Sequence, residues 1–187
     1  MDVLIQDMSF VGIETGLMVL GSAGVRMVNI GAAARNWTGG RDNGGAVISN
    51  TYWLSCEQCA FETVPPPDAY CRHFPLEPPH PPPPPLCYGT KPALILRGEN
   101  PGGGYAGVHE CYLLRFAGLI LKCGGVGYEQ LTSQPGGRGP AIGYFEFKSV
   151  VMEDSWTPVL DIYVDPTLEA SQNVRPPHCL VARLVAS

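Results

Sequence analysis

Twelve of the nineteen prolines in this chain of 187 residues fall between residues 65 and 92. Proline has no backbone N–H to give to a helix or a sheet ladder, so regular structure must stop on either side of that stretch. The unbroken run Pro81, Pro82, Pro83, Pro84, Pro85 favours polyproline II at about 3.1 Å per residue, which makes residues 78–86 a stiff strut roughly 25 Å long. A connection of that length and composition inside a compact domain is uncommon and is usually functional or projecting. The expected organisation is one β-rich domain over residues 1–187, with residues 65–92 as an extended Pro-rich arm within it.

The remainder reads as strands. With 23 glycines the chain is too broken for a helical body, and at 45% apolar residues it is too hydrophobic for disorder. Residues 3–10 suggest a first strand or a terminal arm. Two apolar runs, residues 17–20 and 25–30, flank Gly21-Ser22-Ala23-Gly24 and suggest a hairpin. Residues 46–64 read as one long strand or two shorter ones, and residues 93–97 as a short strand. Residues 108–123 fit either a helix or two strands, with Gly118 and the branched and aromatic content favouring strands. Alternation is clearest over residues 142–149, 159–164 and 180–186. No internal repeat is evident by eye. The expected fold is therefore mainly β, an antiparallel β-sandwich or distorted barrel with little helix and a long Cys/Pro-rich excursion.

The strongest chemical pattern is Cys56-x-x-Cys59 followed by Cys71 and Cys87. Four thiolates suit a tetrahedral structural zinc, but two cysteines three apart on a regular strand point to opposite faces, so a turn or bulge at Glu57-Gln58 is required to bring them together. A disulfide within the same group and inert thiols are the competing readings. No other cofactor is expected. The glycine-rich loops lack the Lys-Ser/Thr ending of a phosphate-binding loop, and no nucleophile elbow or zinc-protease helix is present.

A formal charge of −5 with scattered Lys and Arg gives no reason to expect nucleic acid. The uncharged run over residues 15–25 is shorter than the ~20 residues that cross a bilayer, so no membrane is expected. Met1-Asp2 lacks a basic leader, which points to synthesis in the cytoplasm. Charged residues make up only 16% of the chain, so much of its exterior must be apolar or neutral, and part of that exterior is expected to meet other proteins. Trp37, Tyr70, His73, Phe74 and Pro81, Pro82 and Pro83 are the candidate contact residues. These features fit a non-enzymatic structural subunit of a larger homo- or hetero-oligomer, by analogy a bacteriophage virion component such as a capsid-decorating, connector or tail protein. The alternatives are a module that presents polyproline to an aromatic groove and a protein with a structural zinc or thiol site.

Overall fold

The computed structural model describes residues 2–38, 40–65, 71–72, 86–87, 91–100, 112–132, 145–153, 160–164 and 183–185. The strands in chain order are β1 (Val3–Gly12), β2 (Thr15–Leu20), β3 (Ala23–Ala34), β4 (Gly44–Ser49), β5 (Tyr52–Glu57), β6 (Ala60–Glu62), β7 (Cys71–Arg72), β8 (Leu86–Cys87), β9 (Leu94–Asn100), β10 (Tyr112–Lys122), β11 (Val126–Thr132), β12 (Phe145–Glu153), β13 (Leu160–Val164) and β14 (Arg183–Val185). Among the described residues there is no helix.

The expected antiparallel sandwich is not what forms. One large sheet runs β1-β3-β5-β10-β12-β14, with β6 continuing the line of β5, and the other runs β13-β11-β9-β4-β2. Every strand pair in both is parallel. Only the short ribbon of β7 and β8 is antiparallel. Period-two alternation specifies which face of a strand is buried, and it is the same for parallel and antiparallel neighbours, so the sequence pattern could not decide between them.

Parallel neighbours need a crossover, which is usually a helix. Here the crossover is a strand of the opposite sheet. From β1 to β14 the large-sheet strands alternate between the two sheets, each return landing beside the previous strand of its own sheet, so the chain winds as a parallel solenoid of stacked rungs. Rung one is β1 and β2, rung two β3 and β4, rung three β5, β6 and β9, rung four β10 and β11, and rung five β12 and β13. The expected hairpin fails for this reason: β2 pairs with β4 and β3 with β1 and β5, not with each other.

β1, β3, the β5–β6 line, β10 and β12 bend at one common level, and β3, β5 and β10 carry a second left-handed residue near their starts at Gly24, Trp53 and Leu113. Asp7, Asn29, Gln58, Gly118 and Ser149 have φ of 53°, 53°, 55°, 65° and 55°, and the register on either side of them stacks one above the next. A left-handed residue shifts the alternation by one, so inward positions run i, i+2, i+5, i+7 instead of every second residue. The buried side chains follow this rule: Val25, Met27, Ile30 and Ala32 in β3, Leu54, Cys56, Cys59 and Phe61 in β5 and β6, Leu114, Phe116, Leu119 and Leu121 in β10. Within residues 108–123, the described segment Tyr112–Lys122 forms one long strand, not two, with the bend inside it.

Stacking these rungs produces columns. Val25, Leu54, Leu114 and Phe145 lie in register, as do Met27, Cys56, Phe116 and Phe147, and all are buried. Phe116 and Phe147 are stacked with centroids 5.0 Å apart. The second sheet contributes Ala46, Leu94 and Val126, then Ile48, Leu96 and Tyr128. Where the sheets converge, side chains do not fit: a Cβ on Gly16 would lie 2.4 Å from the Ala33 amide nitrogen, and one on Gly45 would lie 2.5 Å from that of Glu62.

Candidate functional site

Rung one is built like the others and ends differently. β1 is the outermost strand of the first sheet and β2 of the second, so among the described residues each has one hydrogen-bonding edge with no strand beside it. Of the nine large hydrophobic side chains exposed among the described residues, seven lie between residues 3 and 20: Val3, Leu4, Met8, Val11, Ile13, Met18 and Leu20. Ile13, at the turn from β1 to β2, is 71% exposed, and Leu4 57%. Ile5, Phe10 and Leu17 reach the core and are only partly covered. Between the two strands lies a recess of about 530 Å³ lined by residues of β1, β2 and the start of β3. An edge pair this apolar is a template for another strand.

Within rung one itself the charge has one sign, although Arg26 in the next strand is the register partner of Leu4. Asp2, Asp7 and Glu14 are the only ionisable side chains from residue 2 to residue 25. Asp7 accepts hydrogen bonds from Asn29 Nδ2 at 2.8 Å and Gln6 Nε2 at 2.8 Å. The Asn29 bond first, then the Gln6 bond, holds its carboxyl below the ordinary value and keeps it ionised.

The Cys-x-x-Cys pattern resolves through the strand bend. Gln58 supplies the turn that the sequence required between the two cysteines, so Cys56 and Cys59 both face inward and are joined in a disulfide. Their sulfurs fill core columns and are shielded from solvent. Cys71 and Cys87 stand opposite each other as Cα partners in the β7–β8 ribbon. Zinc binds thiolates, and the bonded Cys56 and Cys59 sulfurs are not thiolates. Among the described residues no group of three or more His, Cys, Asp or Glu is arranged to hold a metal ion.

On the second sheet, the side chain of Arg97 is almost wholly buried. Its Nε donates to Glu129 Oε2 at 2.8 Å, its Nη1 donates to Asp42, and its Nη2 donates to the Arg41 carbonyl at 3.1 Å. Burial works against the guanidinium charge, but the hydrogen bond to Asp42 and the field of Glu129 outweigh it, so Arg97 is held more firmly cationic than usual. The cluster ties the turn before β4 to strands β9 and β11. Every arm of the guanidinium is engaged within the fold, which makes the cluster a fastening.

Of the contact residues expected from sequence, Trp37 lies half-buried in the loop after β3. That loop is held by the buried Asn43, whose Nδ2 donates to the carbonyls of Glu14 and Asn36 and whose Oδ1 accepts from the Thr38 amide. Tyr70, His73, Phe74, Pro81, Pro82 and Pro83, and the strut over residues 78–85, lie outside the described residues. Sequence reasoning missed the exposed apolar side chains of rung one. The available signal was that Val3, Ile5, Met8 and Phe10 repeat the inward spacing of Val25, Met27, Ile30 and Ala32 in a strand at the end of its sheet among the described residues. No protein-family model, curated protein or solved structure matches the chain.

Proposed function

We propose that this protein is a non-enzymatic structural subunit that works inside a larger protein assembly, with a bacteriophage virion component as the specific form. The observation that carries the reading is the open first rung, where seven large apolar side chains meet solvent along two edge strands and the turn between them. Leaving such side chains in water forgoes about 25 cal/mol for each Å² of apolar surface, and a neighbouring protein chain recovers it. The interior disulfide suits a particle that finishes its life in an oxidising environment.

The test is the behaviour of the purified protein by light scattering, together with the binding of a dye that fluoresces on apolar surface. The reading expects either a mass above that of one chain, or a monomer that binds the dye at rung one and loses it when Val11 and Ile13 are changed to Lys. A monomer that binds no dye removes the reading.

A further inference from the structure

We infer that the corner where β5 begins is a binding site for an acidic sugar, with Trp53 as the stacking platform and Arg115 as the carboxylate anchor. The site belongs to rungs three and four and stands independently of the open rung one.

The backbone at this corner is strained without benefit to the core. Gly24, Trp53 and Leu113 stack at one level of the first sheet, with φ of 69°, 51° and 55°. That left-handed conformation is free for glycine and costly for a bulky side chain. At the common bend further along the same strands it is adopted by Asp7, Asn29, Gln58, Gly118 and Ser149, four polar residues and a glycine. Here rung two uses glycine, but rungs three and four use tryptophan and leucine. Burial does not offset the strain, because Trp53 is 63% exposed. Outside rung one, Trp53 and Val151 are the large hydrophobic side chains left this open among the described residues. A strained and exposed tryptophan is accounted for by something that reaches it from outside.

The groups around the indole select its ligand. A recess of about 190 Å³ is lined by Trp53, Leu54, Ser55, Leu113 and Arg115. Pockets for whole drug-sized molecules span about 300–1,000 Å³, so this one takes a single ring of a longer chain. The indole and the half-buried Leu113 make an apolar ledge. Beside it, Ser55 stands in register between Arg26 and Arg115. Arg26 Nη2 lies 3.3 Å from Glu57 and Arg115 Nε 3.3 Å from Glu146, with the two arginine side chains 58% and 65% exposed. Ion pairs so open to water hold weakly, and a ligand carboxylate can displace them. A pyranose ring that carries a carboxylate answers every one of these groups. Its C–H bonds lie on the negative face of the indole, its carboxylate takes the planar fork of Arg115, and its hydroxyls meet Ser55. An aromatic ligand would leave Ser55 and the arginines unused, and a quaternary cation would be repelled by both arginines.

Titration of the full chain with trigalacturonate and with a hyaluronan tetrasaccharide tests this, using calorimetry and tryptophan fluorescence. At least one of the two acidic sugars should bind at millimolar concentration or below and shift the tryptophan emission. Its methyl ester should bind about tenfold more weakly, and Arg115→Gln should weaken the free acid by about the same factor. Trp53→Asn should abolish the calorimetric signal. Asparagine accepts the left-handed conformation, so this variant should melt no lower than the unaltered protein. A lower melting temperature would show that the ring serves the fold, and overturns the inference. So does failure of both sugars to bind, binding that survives Trp53→Asn, or a tetraglutamate peptide that binds as tightly as the sugars. None of these results bears on the assembly reading, whose test is made at rung one.

Discussion

Rungs one and two have the same backbone and nearly the same pattern, and opposite fates. Val3, Ile5, Met8 and Phe10 occupy the register of Val25, Met27, Ile30 and Ala32, and both strands bend at a left-handed residue, Asp7 in one and Asn29 in the other. Yet Val3 and Met8 are each 49% exposed, while Val25 is 5% and Ile30 1% exposed. Side-chain chemistry does not separate them. β3 has a strand on both sides and β1 on one, and in a solenoid burial is a property of neighbours before it is a property of residues.

Core truncation should break the comparison most sharply. Phe116→Ala removes a ring stacked on Phe147 in an inner rung and should cost about 4 kcal/mol in chemical denaturation, whereas Leu4→Ala on the open rung should stay within about 0.5 kcal/mol at concentrations where the chain is monomeric. A comparable cost at both positions would mean that the outer rung is already covered.

Backbone clearance should come next. Gly45→Ala places a Cβ against the Glu62 amide nitrogen and the Ala93 carbonyl oxygen, and should lower stability by about 3 kcal/mol, read as a fall in the denaturation midpoint. Gly21, whose Cβ would meet nothing, tests strain without a clash: at φ 55° its change to Ala should cost about 1 kcal/mol.

The disulfide sharpens the comparison by asking how much an inner rung owes to covalent closure. Replacing Cys56 and Cys59 together by Ser should cost about 2 kcal/mol for so short a loop, plus the burial of two hydroxyls. Alkylation of the unreduced, denatured protein should leave two thiols fewer modified than after reduction.

The smallest effect belongs to Asp7. Its carboxyl is held below its ordinary value of 3.8, so its contribution is fully present above that value and is lost as the pH falls through its lower folded value. Asp7→Asn should therefore be slightly less stable near neutrality, and the difference from the unaltered protein should close as the pH falls below 3.8. A difference that stays the same at low pH would point to a cause other than this carboxylate.

The strand content was legible because period-two alternation is local. Phe145 and Phe147 on one face of β12, and the run that became β13, could be read directly. The parallel arrangement was not legible, because Gly21 and Gly24 do adopt the left-handed turn conformation that their sequence suggests, and that turn sends the chain to the other sheet instead of back along the first. The repeat escaped notice because only a physical property recurs. The inward sets Val25, Met27, Ile30, Ala32 and Leu54, Cys56, Cys59, Phe61 share no residue, and the interval from rung to rung changes each time. Glu57-Gln58 came closest to revealing the architecture. The need for a turn there, read from two cysteines alone, is the bend that β1, β3, β10 and β12 share.

Between Leu54 and Leu114 the path along the chain is about twice as long as between other neighbouring rungs, and the two leucines still face each other in register. The detour through the proline-dense stretch alters the contour length of one corner and leaves the phase of the ladder intact. A foreign peptide spliced into that corner should therefore be carried as a passenger, with the scaffold beneath it continuing as though uninterrupted.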